Sequence, residues 1–201
     1  MLRGKGLFLA GVSGLAMAFS LPAIAGGFSP HEQSAAAQGA SFAGVAAGAG
    51  GLSSMFWNPA TITNTPGWQS SWQLSAILPY ASNTATGASL VFPGGIATTG
   101  NQASSALLPA SYSSYQWNDN IWFGLATNTP FGLGTQNPAG TAARFHGLTS
   151  TVFSTNINPN VAYKFNDVIS VALGLQVEYF KVRLTSNSPV AGVTLNELKG
   201  G

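Results

Sequence analysis

The sequence predicts an all-β transmembrane β-barrel with a small α/loop segment in front of it, and three observations predict that class. Only 6% of the 201 residues are charged while 11% are aromatic. A soluble domain carries about 25% charged residues, and a disordered chain would be poor in aromatics. Short segments alternate with period 2, apolar on one face and amide-rich on the other. The N-terminus has the pattern of an export signal.

That signal comes first. Arg3 and Lys5 form a positive region, Leu7 to Leu21 an apolar stretch, and Ala23-Ile24-Ala25 a small-x-small cleavage site. Gly11, Gly14 and Pro22 interrupt the apolar run, which is shorter than the ~20 residues a spanning helix needs. Residues 1–25 are expected to be removed. Without Arg3 and Lys5, five Lys/Arg face five Asp/Glu. The basic balance then vanishes, and with it any patch for nucleic acid. The absence of cysteine excludes disulfides, thiolate nucleophiles and cysteine-held metals.

Residues 26–65 are rich in Ala, Gly and Ser. Ser34 to Gln38 predicts a short helix, after which Gly39, Gly44, Gly48, Gly50 and Gly51 break any long one. Asn58-Pro59 reads as a helix start, with Asn as the N-cap and Pro at the first helical position. Such a segment cannot build its own core, yet its small side chains let it pack closely inside something else.

From residue 66 onward the pattern is that of strands. In Val152–Phe165, Phe153, Ile157, Val161 and Tyr163 alternate with Ser154, Asn156, Asn158 and Asn160. Ile169–Tyr179 repeats the alternation, and its phase flips at Phe180, Val182 and Leu184 against Lys181 and Arg183. A bulge or the edge of a membrane would produce the flip. Weaker strands run through 72–76, 107–115 and 121–127. Short turns at 117–120 and 165–167 contrast with a long connection at 132–147, the asymmetry of an outer-membrane barrel. A soluble β-sandwich also alternates, but its polar face would carry Lys, Glu and Thr rather than Ser, Asn, Gln and Gly.

Two stretches carry a family resemblance. GGFSPHEQSAAAQGASFAGVAAGAGGLSSMFWNPATIT resembles the N-terminal plug of the FadL/TodX outer-membrane transporters of long-chain fatty acids and other hydrophobic compounds. LLPASYSSYQWNDNIWFGLATNTPFGLGTQ is similar to that family's second and third strands, including the element Pro130-Phe131-Gly132-Leu133. The resemblance implies a monomeric barrel of about fourteen strands, even in number as in other bacterial barrels, in the outer membrane of a Gram-negative cell. Residues 26–65 would then be a hatch inside the lumen, and 66–201 the first five or six strands. About 135 residues follow the hatch, so the chain is expected to be the N-terminal half of a longer protein or a truncated reading frame.

The resemblance also implies roles. A hydrophobic ligand enters from outside and leaves sideways into lipid through a gap made by a kink in the third strand. Carried over, Asn58 and Pro59 are the hatch residues expected to meet the kink at Asn128, Thr129, Pro130, Phe131 and Gly132. Proline suits a break because it removes a ladder donor. Phe28 and Phe56 would lie near the ligand, and Lys181 and Arg183 near where the family meets a carboxylate. Ser186 occupies the best-aligned position for that basic residue, so an uncharged hydrocarbon or aromatic is almost as well accommodated as a fatty acid.

Enzyme motifs fail on inspection. His31-Glu32 lacks the second histidine of a zincin, Ala35 standing in its place, and Gly39 to Ala43 misses the last glycine of a nucleophile elbow. No catalytic residue, metal ligand or cofactor is expected. A non-transporting surface barrel of adhesin type is the alternative function, in which the hatch only stabilises.

Overall fold

The computed structural model describes residues 31–84, 98–141, 143, 146–186 and the backbone of 198–200. The expected signal peptide and Phe28 lie outside the described residues. The strands form one antiparallel meander: β1 (Trp68–Ile77), β2 (Ala106–Gln116), β3 (Ile121–Asn128), β4 (Gly132–Gln136), β5 (Thr149–Lys164), β6 (Ser170–Gly174), β7 (Val177–Thr185) and β8 (Leu198–Gly200). β3 and β4 both pair with β5, as do β6 and β7. Each of these pairs is one interrupted span, so the described residues make five spans and the start of a sixth.

Burial on these strands is the reverse of a water-soluble sheet. Along β5, Phe153, Ile157, Val161 and Tyr163 are exposed, whereas Ser154, Asn156 and Asn160 are buried. The opposite arrangement would bury the apolar face against a second layer. An apolar outer face with a polar inner face is what a lipid-embedded barrel requires. Trp68, Tyr115, Phe123 and Val161 stand in one cross-strand row near the short turns, and Trp117 meets both Tyr115 and Phe123 edge-on. This is an aromatic girdle at one interface. From Tyr163 to Phe153, ten residues of strand span about 33 Å, or roughly 25 Å at a 40° tilt, the height of a barrel's apolar band.

The two short turns share one device. Asn118 Oδ1 accepts from the backbone N–H of Asn120 (2.9 Å) and Ile121 (2.8 Å), and Asn166 Oδ1 accepts from those of Val168 and Ile169 (2.8 Å each). Asn makes such turns because its short amide reaches its own downstream backbone. The expected long connection needs correction. Gly132–Gln136 is a strand paired with Thr149–Phe153, so the loop proper begins at Asn137.

The phase flip at Phe180 is no bulge. Asn160↔Gly174 and Ile157↔Val177 lie in the same register, so β6 and β7 are continuous across Leu175. Their interruption has a local cause. Leu175 N–H donates to the Pro159 carbonyl (3.0 Å), but proline has no N–H to return the bond. The flip is a change of solvent: Lys181 and Arg183 pair with Phe153 and Thr151 on the outer face, at the upper end of the apolar band.

The N-terminal segment packs on the polar inner face. Helix α1 (Ala35–Gly39) is capped by Ser34, whose Oγ accepts from Ala37 N–H (3.0 Å). Three 3₁₀ segments follow, Val45–Ala47, Gly51–Phe56 and Pro59–Asn64. Gly44 and Gly48 flank the first with φ of 66° and 99°, values that favour glycine. Leu52, Met55 and Ile62 make a small apolar core with Ala110, Tyr112, Trp122, Ala126 and Ala162 of the wall. Alanines at three wall positions leave the volume that this segment fills.

Candidate functional site

The wall breaks between β3 and β4. Asn128 faces Asn156 and Gly132 faces Phe153, so Thr129, Pro130 and Phe131 stand opposite only Thr155 and Ser154. One extra residue makes this a bulge. β5 bridges it: Ser154 N–H donates to the Phe131 carbonyl (2.8 Å) and Phe131 N–H to Ser154 Oγ (3.0 Å).

On its other side the break is not bridged. β2 pairs with β3 from Gln116 up to Ser111↔Thr127. Above that, Ala106–Ala110 pair with β1 but with nothing on β4 among the described residues. Pairing resumes where Ser104 N–H donates to the Gly134 carbonyl (2.9 Å) and Gln136 N–H to that of Gln102 (2.7 Å). Beside the unpaired interval lies a cavity of about 140 Å³ bordered by Leu107, Leu108, Thr129, Leu133, Val152 and Phe153.

A break in lipid leaves backbone groups to be satisfied. The N-terminal segment satisfies one of them. Gln33, 1% exposed, donates from Nε2 to the Thr129 carbonyl (2.7 Å), and its own carbonyl accepts from the Tyr112 hydroxyl (2.9 Å). Next to it, Ala35 N–H donates to Gln73 Oε1 (2.6 Å). Two residues thus tie the segment to β1, β2 and the bulge. Its far end is tied too: Trp122 Nε1 donates to the Thr65 carbonyl (2.9 Å), and Thr65 Oγ1 lies 2.9 Å from Ser114 Oγ.

The residues singled out in the sequence fall in three places. Asn128, Thr129 and Pro130 are buried at the break, with Phe131 and Gly132 closing it. Asn58 is the N-cap of the last 3₁₀ segment: its Oδ1 accepts from Ala60 N–H (3.1 Å) and its Nδ2 donates to the Ala46 carbonyl (2.9 Å). Both bonds stay within the N-terminal segment. Pro59 and Phe56 reach the wall instead, lining a second cavity of about 200 Å³ with Met55, Asn128, Asn156 and Gln176. Lys181 and Arg183 are on the outer face, while Phe180, opposite Ser154, turns inward to meet Phe131 edge-on at 6.2 Å.

Sequence reasoning missed Gln33. A lone glutamine in a non-repeating segment gives no periodic signal, and its partner is a backbone carbonyl 96 residues away. It also missed the unpaired interval on β2, which exists only in the register.

The family model of the outer membrane protein transport proteins (OMPP1/FadL/TodX) matches residues 16–200. No curated protein sequence matches the chain. Among solved structures it is similar to the crystal structure of a Pseudomonas aeruginosa FadL homologue, with a TM-score of 0.64 and 18% identity. That likeness covers 87% of this chain and 46% of that one, so the chain spans about half its length. A fold of five lipid-facing spans around a polar inner face, with a helical segment packed on that face, agrees with both findings. The chain belongs to the OMPP1/FadL/TodX family of outer membrane transport proteins.

Proposed function

We propose that the protein is exported by its first 25 residues and carries hydrophobic molecules passively through the outer membrane. Residues 26–65 act as a hatch, and the ligand leaves sideways between β2 and β4 into lipid. The observation that carries this reading is the unpaired interval Ala106–Ala110 beside the buried Thr129-Pro130 bulge. Open backbone in lipid costs several kcal/mol per unsatisfied group, so such an interval is expected only where a passage needs it. The inner face above the bulge is apolar, with Phe131, Val152, Phe180 and Val182 on it, which suits an oily ligand on its way to the gap.

Within this reading Asn58 and Pro59 set the shape of the hatch end, and Gln33 couples the hatch to the break. Uptake of a hydrophobic probe into outer-membrane vesicles from cells expressing the gene tests it. Deleting Thr129, which removes the extra residue of the bulge, is expected to abolish uptake while surface display and heat-modifiable migration persist. Unchanged uptake of aliphatic and aromatic probes alike would end the lateral-exit reading.

A further inference from the structure

The 200 Å³ cavity between the hatch and the wall has two unlike sides. Met55, Phe56 and Pro59 make the hatch side apolar, and the wall opposite carries side-chain amides. On this face of the wall Asn160 pairs with Gly124 and Gly174, Asn158 with Ala126, and Asn156 with Asn128 and Glu178. Of three buried amide oxygens on this wall without a hydrogen-bond partner, Asn128, Asn156 and Asn160 Oδ1, the first two belong to residues that line the cavity and are only 3% and 4% exposed. A buried acceptor left unmade costs about 1–3 kcal/mol, so their persistence calls for an occupant.

Their orientation is set by neighbours. The Asn128 amide is a hydrogen-bond partner of the Tyr112 hydroxyl. That hydroxyl already donates to the Gln33 carbonyl, so it receives from Nδ2, and Oδ1 is left for the cavity. Asn160 Nδ2 donates to Asn158 Oδ1 (3.2 Å), so that oxygen already has one partner. No positively charged residue lines the cavity. Glu178 stands beside Asn156 on the same face by register, and Lys181 and Arg183 face outward.

We infer that this cavity receives a neutral, hydrogen-bond-donating head group, the hydroxyl of a phenol or an alkanol, with its apolar part against Phe56 and Pro59. Its single O–H donates to Asn128 Oδ1 or Asn156 Oδ1, or is shared between them. A carboxylate, which only accepts, finds no donor in those two amide oxygens. The inference rests on the proposed passage of hydrophobic ligands and narrows their class.

The test is equilibrium binding to the protein in lipid nanodiscs at neutral pH, with 1-naphthol, naphthalene and 1-naphthoate as probes. 1-Naphthol is expected to bind about tenfold more tightly than 1-naphthoate. Asn156→Leu and Asn128→Leu should each weaken 1-naphthol about five- to tenfold and leave naphthalene unchanged. The wild-type order of affinities decides the matter even where leucine disturbs the site, and Asn156→Ser, which keeps a small polar group, gives an intermediate loss. Equal or tighter binding of 1-naphthoate, no binding of 1-naphthol, or indifference to both leucine variants would overturn the inference. Should 1-naphthol bind as described while no probe enters vesicles, the head-group site stands and the transport reading falls.

Discussion

Two prolines sit in neighbouring strands of the same wall and do opposite things. Pro159, in the middle of β5, removes one ladder donor, yet β6 and β7 keep a single register across it. Pro130, between β3 and β4, comes with one residue too many, and the register on β5 shifts by one. On the far side of Pro130 the neighbouring strand β2 has no partner on β4 over Ala106–Ala110 among the described residues, and pairing resumes only at Ser104. Proline alone therefore does not shift the register of this wall. The break at Pro130 combines an extra residue, a β2 interval without a partner on β4 and a group from elsewhere, Gln33, that satisfies the Thr129 carbonyl; in the proposed function these together make the exit.

The contrast can be broken at several points. The largest effect is expected at Ile157, on the lipid face two residues from Pro159. Ile157→Arg should cost about 2–4 kcal/mol in the folded barrel, read by urea unfolding in liposomes, because the wall there is closed and faces lipid. At the other proline, Gln33→Leu strips the Thr129 carbonyl of its donor and should cost about 1–3 kcal/mol. Faster exchange of the backbone amides of β4 would accompany that loss. Pro159→Val returns the missing N–H and should add about 0.5–1.5 kcal/mol, with no change in probe uptake. The smallest effect belongs to the turn at Lys164 and Asp167, 2.8 Å apart. The hydrogen bond and charge of Lys164 hold the Asp167 carboxyl below its usual 3.8. Its contribution is therefore present above about pH 4 and lost as pH falls through the lowered value. Asp167 is fully exposed, so the loss should be slight and vanish in high salt.

How much of this was legible in the sequence depends on whether a feature repeats. Alternation along 152–165 identified both the strand and its faces, because every second residue reports the same environment. The phase flip at Phe180 was legible as an event, and the continuous register identifies it as the upper edge of the apolar band. Gly132–Gln136 was read as loop because Gly132 and Gly134 erase the alternation that marks a strand. The break itself was marked by Pro130, a residue with one clear physical consequence. Gln33 and the freed interval of β2 were not legible, since both depend on which strands meet. Asn58-Pro59 was read correctly as a cap, though the turn that it starts is 3₁₀ rather than α-helical.

The central claim is that the extra residue at the bulge opens the wall. Deleting Thr129 would let Pro130 and Phe131 face Thr155 and Ser154 one to one and so restore the register of β3 into β4. Probe uptake into vesicles by this variant, measured beside Pro159→Val, is the most direct test. The account predicts that uptake is lost on deletion, with heat-modifiable migration intact, and is unchanged in Pro159→Val. Uptake that survives the deletion in a correctly folded barrel would contradict it.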